Sequence, residues 1–281
     1  MRAHRLFRVV WLFETTLLFA SFIFLIYSLA WEYSTRQYLK GFSDAIVPRQ
    51  ANPEERIQAI LDWMKAGPER QSGPFKGVLA DRDPEETLNY KSLLQICGSA
   101  TNAFVNLALS SGLRARRLLL VNAEGQAKHV DAEIWFDGHW IVVDPTFRII
   151  MRGSGGALLT REQLADPQTL AIATQGLANY LPAYTFERTA YIRLDRVKVF
   201  GPIVGKGLDV IAPGWDGSRI ATLVVERESF SACVLASALF MAFVLLRLAL
   251  SWYASARLGI ERLHFTERLW RTGLTFLKEV S

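Results

Sequence analysis

The sequence predicts an α+β domain held between two transmembrane helices. From Val9 to Trp31 and from Phe230 to about Tyr253 the residues are almost wholly apolar, and each run reaches the roughly 20 residues a spanning helix needs. Between them, stretches with helical spacing alternate with stretches of strand alternation, so one domain mixes both element types. In its middle, Asp137-Gly138 joins two alternating runs, the strongest short-range signal for a two-residue hairpin.

The first apolar run is followed by Ala30-Trp31-Glu32 rather than a small-residue cleavage site, so it reads as an uncleaved anchor and not a signal peptide. Arg2, Arg5 and Arg8 precede it, and Arg257, Arg262, Arg268, Arg271 and Lys278 follow the second run. Basic flanks stay on the cytoplasmic side. The expected organisation is therefore a cytoplasmic tail and first span over residues 1–32, an extracytoplasmic domain over 33–228, a second span over 229–253, and a cytoplasmic amphipathic tail over 254–281 that lies on the inner leaflet or docks on a partner. This is a two-pass protein of a bacterial inner (plasma) membrane with both termini cytoplasmic and the domain periplasmic. Glu14 and Arg247 interrupt the spans towards the same end, so they either pair or Arg247 snorkels to the interface. The net charge of +5 is concentrated in the flanks, which makes the lipid bilayer the expected partner and excludes a nucleic-acid role.

Within the domain, Asn52-Pro53 opens a helix to Ala66 with Ile57, Ile60, Leu61 and Met64 on one face. Gln71 to Glu86, rich in Gly, Pro and charge, reads as a loop on the rim of a cleft. After Cys97, Ala100, Phe104, Leu107 and Ala108 recur at helical spacing, and Gly112 stands where a helix C-terminal glycine belongs. Arg116 to Asn122 is a buried strand, Arg152 to Gly156 a flexible glycine-rich loop, and Arg161 to Ala173 helical. Tyr184 to Val199 and Leu208 to Val225 alternate as further strands. Gly201 to Gly207 has the wrong spacing for a phosphate loop, and no Ser or Thr follows its lysine.

The hairpin has a definite register. The turn pairs Phe136 with His139 and Trp135 with Trp140, and hence Asp131 with Asp144 and His129 with Thr146. Alternation puts His129, Asp131, Glu133 and Trp135 on one polar face with Trp140, Val142 and Asp144, while Val130, Ala132, Ile134, Phe136, Ile141 and Val143 face a core. His129 and Asp144 are then diagonal neighbours, roughly 7–8 Å apart in backbone and within side-chain reach. Cys97, at a helix N-terminus, sits where free N–H groups and the macrodipole favour thiolate over thiol. Singly, a cysteine is most often a small buried hydrophobe and a strand histidine a bonded core residue. Together they have the logic of an activated nucleophile whose base is held by a third group.

Cys97-Gly98, Gly112-Leu113-Arg114-Ala115-Arg116, His129-Val130-Asp131-Ala132-Glu133-Ile134-Trp135, Asp137-Gly138-His139-Trp140 and Asp144-Pro145-Thr146 together resemble the transglutaminase-like superfamily, whose core is related to papain-type cysteine proteases. The resemblance implies a transglutaminase-like fold and a catalytic triad of Cys97 as nucleophile, His129 as base and Asp144 as orienting acid. Gln95 and Asn89, near Cys97, are the candidates for a second oxyanion donor. A metal site from Cys97, His129, Asp144 and Glu133 lacks paired ligand spacing, so neither metal nor cofactor is expected. Cys233 lies inside the second span, which leaves Cys97 a free thiol in an oxidising compartment.

Two functions fit this reading. One is a membrane-anchored, cysteine-dependent amide hydrolase or acyltransferase (protease, amidase or transglutaminase chemistry) acting on envelope peptides or proteins. The other is a non-catalytic peptide-binding module of an envelope or exopolysaccharide export assembly. The reactivity of Cys97 towards thiol probes separates them.

Overall fold

The computed structural model describes residues 2–66, 82–193 and 201–258, with side chains from residue 6 onward and excluding those of residues 202 and 203. It divides into two compact units, Ala30–Ala232, and Met1–Leu29 with Cys233–Ser281.

The larger unit begins in the second half of helix α1 (Arg2–Ile46) and continues through α2 (Pro53–Ala66) and α3 (Pro84–Asn89). A reciprocal cap starts α2: Glu55 N–H donates to Asn52 Oδ1 and Asn52 N–H to the Glu55 carboxylate, both at 2.9 Å. The end of the expected loop is helical instead. Asp83 Oδ1 accepts from Glu85 N–H at 3.0 Å and Pro84 sits in the first turn, a start signal that outweighs the local polarity. The rest of that expected loop, residues 71–81, lies outside the described residues. Helix α4 (Cys97–Ser110) ends on Gly112, whose φ of +87° only glycine adopts without strain.

Strands β1 (Ala115–Val121), β2 (Ala127–Phe136), β3 (His139–Asp144), β4 (Ile149–Ile150) and β5 (Thr189–Ala190) form one antiparallel sheet in the order β4-β3-β2-β1-β5. The hairpin register is the expected one, with Phe136 opposite His139 and Trp135 opposite Trp140, and its turn has positive φ at Asp137 and Gly138. Ala132, Ile134, Ile141 and Val143 pack under Phe104, Leu107, Ile57 and Ile60 of α4 and α2.

The other face, expected to be polar, is covered. Leu118, Leu120 and Val142 pack there against Met151, Leu159, Leu164 and Phe186. These come from the irregular segment 149–191, which carries the short helices α5 (Arg161–Leu164) and α6 (Pro167–Ala173). His129, Asp131, Glu133 and Asp144 are consequently at most 1% exposed.

The strands expected over 184–199 and 208–225 are a second correction. Among the described residues only Thr189–Ala190 is strand, and residues 194–199 lie outside them. Gly201–Ile211 is helix α7 and Arg219–Glu226 is helix α8. The β-branched run in α8 reads as strand, but Ser218 Oγ caps it by accepting from Ala221 N–H. Burial of Ala221, Thr222 and Glu226 along one helical face then overrides propensity.

A buried polar cluster closes the base of this unit. Asn102 and Asn106 of α4 both donate to the Glu226 carbonyl (2.6 and 2.9 Å), and the Glu226 carboxylate pairs with Arg117. Asn106 Oδ1 accepts from Arg227, whose guanidinium reaches Glu32 at 3.0 Å.

The smaller unit holds the apolar half of α1 and most of helix α9 (Glu228–Leu258). The segments Leu6–Ile46 and Glu228–Leu258 are long and apolar enough to cross a membrane. Arg247 is paired: its Nη1 lies 2.7 Å from Glu14 Oε2 and 2.8 Å from Thr15 Oγ1, and its guanidinium stacks on Trp11. The amphipathic tail expected over 254–280 lies outside the described residues beyond Leu258.

Candidate active site

Cys97 opens α4 and is half-buried. One turn on, Thr101 donates its hydroxyl to the carbonyl of Val130 at 2.8 Å, fixing the start of α4 against the part of β2 that carries His129. Asp144, at the end of β3, places Oδ2 2.8 Å from His129 Nε2. Its Oδ1 accepts from the backbone N–H groups of Thr146 (2.9 Å) and Phe147 (3.1 Å). The Cys97 side chain lies near enough to influence the same imidazole, whose Nδ1 is buried without a hydrogen-bond partner. Cys97, His129 and Asp144 are thus brought together, in that chain order.

The family model described as Transglutaminase-like superfamily matches residues 40–145. The chain carries a transglutaminase-like domain. The match runs from the end of α1 to the residue after Asp144 and includes all three of these residues. Comparison with curated proteins and with solved structures finds no match.

The transglutaminase-like domain adds a residue to which the sequence reading gave no role. Asp131, two residues after His129 and fully buried, lies with Oδ1 3.2 Å from the same Nε2. Two carboxyl groups thus face one nitrogen. Asp144 receives three hydrogen bonds, whereas neither oxygen of Asp131 has a well-formed one, so Asp131 is the group that takes up a proton. Burial, followed by the charge of Asp144, pushes Asp131 up to about 8. Burial alone would lower His129, but the neighbouring Asp131, Asp144 and Cys97 side chains outweigh that and raise it to about 12. The imidazole is then a cation at neutral pH. The signal for Asp131 was available: alternation puts it on the face of His129, directly across from Asp144.

His129, Asp131 and Asp144 offer ligand atoms within 4.8 Å of one another. The 2.8 Å between His129 Nε2 and Asp144 is a hydrogen-bond length, and two ligands at about 2.0–2.1 Å around a tetrahedral ion would stand further apart. The spacing therefore fits a shared proton better than a shared ion.

Aromatic rings wall the histidine. Tyr184 stacks on it at 4.3 Å between centroids and 16° between planes, with Phe147 and Tyr180 further out at 6.0 and 6.3 Å. Burial, followed by the charges of Asp131 and Asp144, raises Tyr180. Phe147, Tyr180 and Tyr184 lie in or beside turns and carry no periodic signal. Of the oxyanion candidates, Gln95 is exposed at the end of a 3₁₀ turn, Leu93–Gln95, and Asn89 is half-buried beside Tyr38. Glu133 is taken up by Arg116 at 2.7 Å, and His139 is exposed in the hairpin turn. Arg117, besides its bond to Glu226, donates to the carbonyl of Gly98 at 3.2 Å.

Asp131 gives the fold a pH limit. A carboxyl whose value is raised on folding contributes stability that is complete below its unfolded value, about 3.9, and is lost as pH climbs through the folded value. Thermal stability should therefore fall between about pH 4 and pH 8, at up to about 1.4 kcal/mol per unit, with no further loss from this group above that range. Asp131→Asn should flatten this decline. Melting curves from pH 4 to 9 check it, and parallel declines in both proteins would refute the assignment.

Proposed function

We propose that the chain is a membrane-anchored, cysteine-dependent amide hydrolase or acyltransferase acting on envelope peptides or proteins. One observation carries this reading: His129 is held at Nε2 by Asp144 while its Nδ1 is left without a hydrogen-bond partner, with Cys97 near enough to influence the imidazole, which supports a nucleophile with an oriented base. In this mechanism the Cys97 thiolate attacks the amide carbonyl, the C–N bond breaks, and the His129 proton passes to the departing amine. The resulting thioester is opened by water, giving an acid, or by an amine, giving a new amide. His129 takes the proton from either attacker. Backbone N–H groups at the start of α4 are the oxyanion donors that do not depend on Gln95 or Asn89.

The compartment follows from charge. Two helices with spanning length, and arginines on the outer flanks of the sequence, support cytoplasmic ends and a domain on the far side of the membrane. The Glu14–Arg247 pair supports antiparallel spans, since intramembrane charges persist when matched.

A membrane-impermeant maleimide applied to intact bacterial spheroplasts expressing the chain tests both parts. Cys97 should be labelled, and His129→Ala should slow its labelling at least about tenfold. Labelling only after lysis would overturn the outward placement. Slow labelling indifferent to His129→Ala would favour the non-catalytic peptide-binding module.

A further inference from the structure

A cavity of about 420 Å³ opens between the end of α1, the C-terminal end of α4 and α8, within the roughly 300–1,000 Å³ typical of ligand sites. Four cations line it: Arg36 and Lys40, one turn apart on α1, and Arg219 and Arg227, two turns apart on α8 and its C-cap. Among the described residues Glu32 engages two of them, bonded to Arg36 at 2.6 Å and Arg227 at 3.0 Å. Among the described residues Lys40 and Arg219 have no acidic partner. The C-terminal end of α4 reaches the cavity through Ser110, and its dipole offsets about half a charge. More than two positive charges remain uncompensated around one space. Arg227 records the repulsion: burial lowers its pKa, Glu32 opposes this, and the like charges of Arg36 and Arg219 add to the lowering.

The remaining walls are not polar. Leu109 and Leu223 line the cavity, and Ile220 beside them is 66% exposed. The placement along the chain is equally specific. Arg36 stands five residues after Trp31, where the first apolar run ends, and Arg227 stands three residues before Phe230, where the second begins. Arg36 and Arg227 thus each stand within five residues of an apolar run.

We propose that this cavity binds a phosphate-bearing anion, the headgroup of an anionic phospholipid, with Lys40 and Arg219 as its free ligands and Leu109 and Leu223 against the glycerol base. The lipid source rests on the reading of α1 and α9 as spans, whereas the anion site itself does not.

The test uses the full chain in a zwitterionic detergent, following its melting midpoint with added dihexanoyl phosphatidylglycerol, dihexanoyl phosphatidylcholine or inorganic phosphate. Lys40→Ser/Arg219→Ser is the variant, since both side chains are exposed and leave Glu32 paired. Phosphatidylglycerol should raise the midpoint, phosphatidylcholine should not, and the variant should need at least about tenfold more lipid while melting normally without it. A rise with inorganic phosphate matching that with phosphatidylglycerol, lost in the variant, upholds the anion site and overturns the lipid source. No response to either anion, or an equal response in the variant, overturns the site. Carbonate extraction from membranes reads the span assignment separately, so the two cannot fail unnoticed together.

Discussion

Cys97→Ala should abolish both amide hydrolysis and amine incorporation, a loss on the order of 10⁶-fold, the scale on which removing the nucleophile of a triad hydrolase costs turnover. The substitution should cost the fold little. Cys97 is half-buried, makes no core contact comparable with Phe104 or Leu107, and Thr101 still pins the helix to Val130. Turnover of peptide amides by purified wild type and variant, with unchanged circular dichroism, is the measurement. Near-wild-type turnover in the variant would end the assignment of Cys97.

His129→Ala should cost nearly as much, and Asp144→Asn distinctly less. The base moves the proton in both half-reactions, whereas the acid orients it. In this domain the difference is enlarged by Asp131, which already lies 3.2 Å from the same nitrogen and can accept from it when Asp144 is lost. Asp144→Asn should therefore fall by roughly 10²–10³-fold, below the roughly 10⁴-fold known for the corresponding loss in a triad with one carboxylate. The double variant Asp131→Asn/Asp144→Asn should lose more than the product of the single losses. Two carboxyls that substitute for one another are non-additive in that sense. A cycle of kcat/KM values over the four proteins reads the coupling. Equal and total loss in Asp144→Asn and His129→Ala, both folded, would contradict the division of roles.

What the sequence disclosed of this arrangement depended on how local each cause was. The start of α2, the glycine after α4 and the Asp137-Gly138 turn are fixed by residues within a few positions, and they were readable. The hairpin register followed from the turn, and with it the nearness of His129 and Asp144. The helical state of Arg219–Glu226 was hidden, because Ile220, Val224 and Val225 favour strand locally while the buried partners of Glu226 lie more than a hundred residues away. The second covering of the sheet was hidden for a similar reason. Met151, Leu159 and Phe186 come from turns and short pieces with no period to detect. Asp131 stands in the register without a role, since an acid on a polar face needs none. Only its burial makes it a problem in electrostatics.

The buried cluster around Glu226 also bears on the order in which the chain is made. Arg227 and Glu32 are separated by 195 positions, and Asn102 and Glu226 by 124. Synthesis proceeds from the N-terminus, and domains fold as units. Until Arg219–Glu226 emerges, Asn102, Asn106 and Arg117 lack the carbonyl and carboxylate that Glu226 supplies them. Completion is therefore deferred until the last turn before α9. A fragment ending at Ser218 should carry every residue around Cys97 yet stay open at its base, so that the final dozen residues before the second apolar helix act as the clasp of the whole domain.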